Sequence, residues 1–183
     1  FEISTSVTMT VLDQKYYYEE AETENDYSVC TLFTYGDQHF IFTGDLEEDG
    51  EESLIEKNDL PKVALYKAGH HGSKTSSSEA FMAVIQPEIV CVCCCAGSPE
   101  YTDTNENQFP TQTFVDNVSP YTDKVYVTTL CNDYDNDDFT SMNGNITVTA
   151  TKTGVTVACS ASDTLLKDTE WFKKNRTCPS AWK

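Results

Sequence analysis

Two short segments hold the residue types that could do chemistry at close quarters. Thr43-Gly44-Asp45 and Gly69-His70-His71-Gly72-Ser73-Lys74-Thr75-Ser76-Ser77 each follow an apolar, strand-like stretch, where side chains converge at a sheet edge. Carboxylate and imidazole are metal ligands and proton carriers. The hydroxyls of Ser73, Thr75 and Ser76, the Lys74 ammonium and the free N–H groups of a helix start could hold an anionic group. Each signal alone is weak. A Gly-Asp after a strand is an ordinary turn, a His-His pair is ordinarily a surface feature, and a Ser-rich run beside one Lys equally caps a helix. Their order is more specific: strand, Thr-Gly-Asp, acidic helix, strand, His-His-Gly-Ser, Ser-rich cap, strand.

Other groupings read as structure. Cys91, Cys93, Cys94 and Cys95 crowd into the strand-like run IVCVCCCAG, where neighbours point to opposite faces and cannot easily pair with each other. Their spacing matches no common zinc pattern, so they read as small buried hydrophobes. Cys159 and Cys178 are candidates for a bridge tying down the terminal segment. Residues 132–138 carry four Asp and two Asn but lack the Gly and terminal Glu of a calcium loop, which leaves a solvated loop. His39 reads as a strand residue.

The elements that must position the two segments follow from periodicity and turn chemistry. Strands are expected over residues 7–12, 27–35, 39–43, 63–68, 88–94 and 124–129, with a last hairpin over 145–151 and 155–159 and a Gly36-Asp37 turn between the second and third. Helices are expected over 47–57, with Leu54 and Ile55 inward, 78–85 and 111–118. A terminal helix is expected to dock through Leu165, Leu166 and Trp171. Helices alternating with strands, flanked by antiparallel pairs, predict a layered α/β domain with a mixed sheet.

Charge restricts the partners. The chain has 183 residues, 39% of them hydrophobic, and a formal net charge of −18 from 30 acidic and 12 basic side chains. The first 60 residues hold 16 acids and 2 bases, so the field is concentrated there. Long nucleic acid is disfavoured and a small or short anionic substrate is better tolerated. No apolar run reaches the roughly 18 residues of a membrane span. Phe1 opens the chain with no charged and apolar leader, the reading expected of a mature or truncated piece of a longer protein. The compartment stays open, extracytoplasmic and secreted placements included.

The stretches FIFTGDLEEDGEESLI, VALYKAGHHGSKTSSSEAFMAVIQPEIVCV, KVYVTTL and NGNITVTATKTGVTV together resemble the C-terminal half of the metallo-β-lactamase fold. The resemblance is nearest to the hydrolase domains of DNA-uptake competence proteins and their free-standing relatives. It covers residues 27–160 and implies an αββα layered fold of which this chain is one half. Residues 1–26 would then be a remnant of the preceding half, and residues 161–183 a C-terminal helix and tail. It further implies that Asp45 bridges two metal ions, zinc with manganese as a substitute, and that His71 binds the second metal with His70 as neighbour or substitute. His70, Ser73, Lys74, Thr75 and Ser76 would face substrate, and Asp45 and His71 would be the catalytic pair.

Two departures from the family pattern matter. The first metal motif, HxHxDH, is absent from a chain with three histidines, and Phe109 precedes Pro110 where relatives often carry a His. The resemblance therefore implies a partner, the N-terminal half of the same protein, to complete the site. The implied function is hydrolysis of a phosphodiester or ester by metal-bound hydroxide. The competing reading is a non-catalytic binding or structural module on the same scaffold.

Overall fold

Strand order in space follows strand order along the chain. The computed structural model describes residues 1–151 and 153–183. Its eight-stranded sheet runs β1 (Glu2–Ser4), β2 (Val7–Val11), β3 (Thr31–Tyr35), β4 (Gln38–Phe42), β5 (Leu65–Lys67), β6 (Ile89–Ala96), β7 (Val125–Asp133) and β8 (Asp138–Ser141). The first four strands are antiparallel to one another, β4 to β7 are parallel, and β8 returns antiparallel to β7. A second sheet is the hairpin of β9 (Ile146–Thr151) and β10 (Gly154–Cys159). Parallel neighbours need crossovers, supplied here by α1 (Glu48–Lys57), α2 (Glu79–Ile85) and α3 (Gln112–Val118). The short α4 (Glu170–Asn175) lies near the C-terminus. This is the α/β class with a mixed sheet and terminal hairpin that the alternation predicts. No described helix is long and apolar enough to cross a membrane.

Strand alternation divides the core. Tyr66, Val90 and Val92 point to the face covered by the helices, where Leu54, Phe81, Met82, Phe114 and Val115 pack with them. Leu65, Ile89 and Cys91 point to the other face, where the hairpin covers them with Ile146, Val148, Val155 and Val157. Ser78 and Thr111 cap α2 and α3 by accepting the N–H of Phe81 and Phe114.

Several expectations are corrected. The strand expected from Tyr27 starts at Thr31, because Glu24–Tyr27 winds into a 3-10 turn and Ser28 turns toward Asp45. Residues 132–138 are the end of β7, a tight turn and the start of β8; the polar faces of these strands hid them. Cys93 is exposed and Cys94 and Cys95 are half-buried, so only Cys91 of the four is a buried hydrophobe. Cys159 and Cys178 are both free. Cys159 ends the hairpin, while Cys178 packs on the helical core cluster across the sheet. At the C-terminus Leu166, Phe172 and Trp182 are the buried anchors, while Leu165 and Trp171 are half-buried.

One buried carboxyl ties two helices together. Glu51 on α1 is fully buried, and its two carboxylate oxygens accept the N–H groups of Ser77 (2.6 Å) and Ser78 (2.8 Å) at the start of α2. Burial pushes its carboxyl up to about 7, against the pull of those donors. The unfolded chain therefore loses this proton first as pH rises, so the contribution to stability is present below the unfolded pKa and fades toward pH 7. Urea unfolding at pH 5 and pH 8 should show the wild-type advantage over Glu51→Gln shrinking by roughly 2–3 kcal/mol across that interval. A difference independent of pH would contradict the assignment.

Candidate functional site

The parallel ladder puts both segments at one edge. Phe42 pairs with Lys67 at the ends of β4 and β5, so residues 43–45 and 69–72 leave neighbouring strands side by side. Gly44 takes φ +60°, and a Cβ there would stand 2.7 Å from Ser28 Oγ. That close approach lets the Asp45 N–H donate to Ser28 Oγ at 2.9 Å, fixing the backbone that carries the carboxylate. The His70 N–H donates to the Gly44 carbonyl at 3.0 Å, joining the two loops. Below them the buried Tyr66 hydroxyl accepts the Gly69 N–H at 2.7 Å and meets Ser77 Oγ at 2.9 Å.

The histidine turn is strained and tightly held. His70, His71 and Gly72 have φ of +43°, +57° and +79°, three left-handed residues in a row. Each non-glycine residue there costs about 1–2 kcal/mol. Ser73 closes the turn by donating to the His70 carbonyl, and the Gly72 carbonyl accepts both the N–H and the hydroxyl of Thr111. Gly72 is required twice over, by its φ and by Pro110, whose Cβ lies 2.9 Å from where a side chain would begin. Strain kept by this many contacts is of the kind that clusters at ligand-binding and catalytic turns.

The turn aims one imidazole with a defined tautomer. His71 Nδ1 lies 2.7 Å from the Cys93 carbonyl oxygen. A carbonyl only accepts, so Nδ1 carries a proton, and Nε2 faces Asp45 Oδ1 at 3.6 Å. Both side chains are a little over a third exposed, at 37% and 38%. The Cys93 carbonyl is free because β5 ends opposite Cys91 and the β6–β7 register slips between Val92 and Cys95. Phe109 stacks on the His71 ring, centroids 6.2 Å apart at 24°, and Tyr101 lies 6.0 Å beyond it. These residues with Cys93 and Glu100 line a pocket of about 180 Å³.

His70 belongs to a separate cluster. Its Nδ1 is 3.4 Å from Glu47 Oε1 and 3.3 Å from Thr75 Oγ1, and Glu47 also accepts from the Thr75 hydroxyl and from Asn25. Ser73 Oγ bonds Thr75, and the buried Ser76 hydroxyl donates to the Leu46 carbonyl at 2.6 Å. Lys74 turns outward and donates to Asn107 Oδ1 at 2.9 Å. The structure thus brings Asp45 and His71 together, groups His70, Ser73 and Thr75 with Glu47, commits Ser76 to the scaffold, and turns Lys74 toward Asn107.

Asp45 Oδ1 and His71 Nε2 form a donor pair that fits one edge of a divalent metal's shell, with the second imidazole nitrogen held by a carbonyl as metal ligands require. A closed zinc site takes about four donors. Among the described residues no three of His, Cys, Asp and Glu converge on one point. Burial pushes the Cys91 thiol up to about 12 and the Cys95 thiol up to about 11, which makes both poor nucleophiles. Sequence reasoning missed Ser28, Glu47, Tyr101 and the Cys93 carbonyl. Glu47, two residues after Asp45, carried a signal, but it was absorbed into the acidic run; a main-chain carbonyl carries none.

No protein-family profile matches the chain. Three curated proteins are similar over a short stretch: ComE operon protein 3 of Bacillus subtilis (35% identical), Recombination protein 2 of Haemophilus influenzae (33%) and Competence protein ComA of Neisseria gonorrhoeae (40%). The matched stretches cover 38%, 38% and 36% of this chain and 9%, 8% and 10% of those proteins. The chain therefore matches about a tenth of each relative's length.

Gly72→Ala tests the turn. The left-handed φ alone should cost about 1–2 kcal/mol, and displacement of Pro110 adds to it. The midpoint of urea unfolding should fall accordingly; an unchanged midpoint would remove the case for strain at this position.

Proposed function

We propose that this chain is one half of a metallo-β-lactamase-like hydrolase and that the complete protein cleaves phosphodiester bonds with a divalent metal. The observation that carries this reading is the orientation of His71: Nδ1 held by a carbonyl, Nε2 free and 3.6 Å from the Asp45 carboxylate. A carboxylate and a tautomer-locked imidazole at the ends of adjacent parallel strands are half of a metal shell. The other donors come from a second α/β half. An apolar hollow of about 240 Å³ between Val7, Phe33, Phe40 and Ala150 leaves sheet surface for it to cover.

Zinc, with manganese as a substitute, would acidify a water and offset charge building on the phosphoryl oxygens. The chain's own residues prepare that chemistry. Asp45 and His71 Nε2 would hold the ion, Ser28 and Gly44 fix the carboxylate's backbone, and the Cys93 carbonyl holds a proton on His71 Nδ1 and so orients the ring. Phe109 shields one ring face from water. His70, set by Glu47 and Thr75, stands beside the pair, where it can orient substrate.

A phosphodiester is favoured over an acyl ester on two grounds. The names of the similar proteins refer to competence and recombination. The Ser73 and Thr75 hydroxyls also lie just after the histidine turn, a setting that suits phosphoryl oxygens. The acidity of the first 60 residues points to short substrates, because a polymer meets more of the repelling field.

A second reading, a non-catalytic module, rests on the two-donor limit of the site. Kinetics separate the two. In the full-length protein loaded with zinc, Asp45→Ala and His71→Ala should each lower turnover by more than about 100-fold with an unchanged circular dichroism spectrum, and His70→Ala by about tenfold. An inactive His70→Ala beside an active His71→Ala would reverse the ligand assignment, and no turnover by the zinc-loaded wild-type protein would favour the module. Relative to the uncatalysed rates, bis(p-nitrophenyl) phosphate should be cleaved faster than p-nitrophenyl acetate. Equal acceleration of the acetate would exclude the phosphodiester preference.

A further inference from the structure

Acids outnumber bases 30 to 12 in this chain, yet one groove reverses the ratio. Lys74, Lys174 and Arg176 line an open groove of about 570 Å³ in which Glu106 is the single carboxylate; Asn107 and Thr177 complete its polar walls. None of the three cations has an ion pair among the described residues, where the Lys–carboxylate pairs use Lys15, Lys167 and Lys173. Lys74 is steered by a neutral partner, Asn107 Oδ1 at 2.9 Å. Arg176 is built in more firmly. Its guanidinium donates to the carbonyls of Asn105, Gln108, Pro110 and Asn175 and lies over the Trp171 ring, 4.9 Å from its centroid. Neutral carbonyls satisfy its donors and leave its charge uncancelled, so an immobile positive field faces the groove.

The groove adjoins the Asp45–His71 pair through two connections. Lys74 follows His71 by three residues. The loop of residues 105–109 presents Glu106 and Asn107 to the groove and Phe109 to the His71 ring. Three unpaired cations beside an anion-cleaving centre, in a protein that otherwise repels anions, have a specific use. We infer that the groove binds a phosphate group of a short single-stranded oligonucleotide one or more nucleotides away from the bond placed at Asp45 and His71. The nucleic-acid identity rests on the phosphodiester reading; the phosphate chemistry rests on the groove alone. The same groove lets a strongly acidic protein hold a short polyanion without welcoming a long one.

Binding can be read without metal or turnover, from amide and side-chain shifts of the full chain labelled with ¹⁵N. The probes are inorganic phosphate, the trinucleotide TTT and its 5′-phosphorylated form pTTT. Addition of pTTT should shift Asn107, Gln112, Thr177 and Arg176 Nε, with an affinity at least tenfold above that for inorganic phosphate. Lys174→Gln should weaken pTTT at least fivefold and lower the slope of log affinity against log salt by about 0.7. Lys174 is exposed and outside the scaffold, which spares the fold; replacing Arg176 would also free the loops it ties. Shifts absent from the groove, or equal affinity in Lys174→Gln, would overturn the inference. Phosphate binding as tight as pTTT would make this a free-anion site and overturn the oligonucleotide assignment. Groove binding without hydrolysis by the metal-loaded full-length protein would sink the hydrolase reading alone, and hydrolysis with a silent groove would sink only this inference.

Discussion

The hydrogen bond from His71 to the Cys93 carbonyl exists because a β-ladder slips. Had β6 and β7 stayed in register through Cys94, and had β5 run two residues further, that carbonyl would have been absorbed into the sheet. The slip frees an acceptor at the strand edge where the histidine turn passes, and the turn is bent left-handed to reach it. The supporting shell answers that bend: Gly72 against Pro110, Thr111 on the Gly72 carbonyl, Tyr66 under Gly69, and Gly44 accepting from His70. Two left-handed histidines would cost about 2–4 kcal/mol in isolation, a large share of a domain's net stability, so each of these contacts has a task.

Legibility in the sequence followed the range of the interaction. Helices and strands of the middle of the chain were readable because their signals are local: Ser78 and Thr111 cap helices that begin one residue later, and Gly36-Asp37 turns one strand onto the next. Asp45 and His71 were named from the resemblance, in loops that follow β4 and β5 by a few residues. What faces them was not. Ser28 and Tyr101 come from segments 17 and 30 residues away from Asp45 and His71, and a carbonyl has no letter at all. The cysteine run misled for the same reason, since the slip that exposes Cys93 is a property of the β6–β7 pairing rather than of either strand.

Charge and geometry divide the surface. The acidic first third repels anions at long range, whereas the unpaired cations between α3 and the C-terminal segment attract them at short range. Such fields decay over about 10 Å at ordinary ionic strength, so short ligands close to the groove feel mostly attraction while the tails of long ones feel mostly repulsion. Selection by length then needs no wall or lid.

Because every strand of the main sheet lies beside the one made just before it, the sheet can be laid down in the order of synthesis. Each addition closes a short segment rather than waiting for a distant one, which keeps the entropic cost of each step small. As the chain leaves the ribosome, Asp45 is in place once β4 has paired with β3. The histidine turn gains its anchor only when β6 arrives. Until then the turn has no acceptor for His71 and no reason to hold its strained bend, so the site matures last in the very segment whose residues are most exposed to wrong partners.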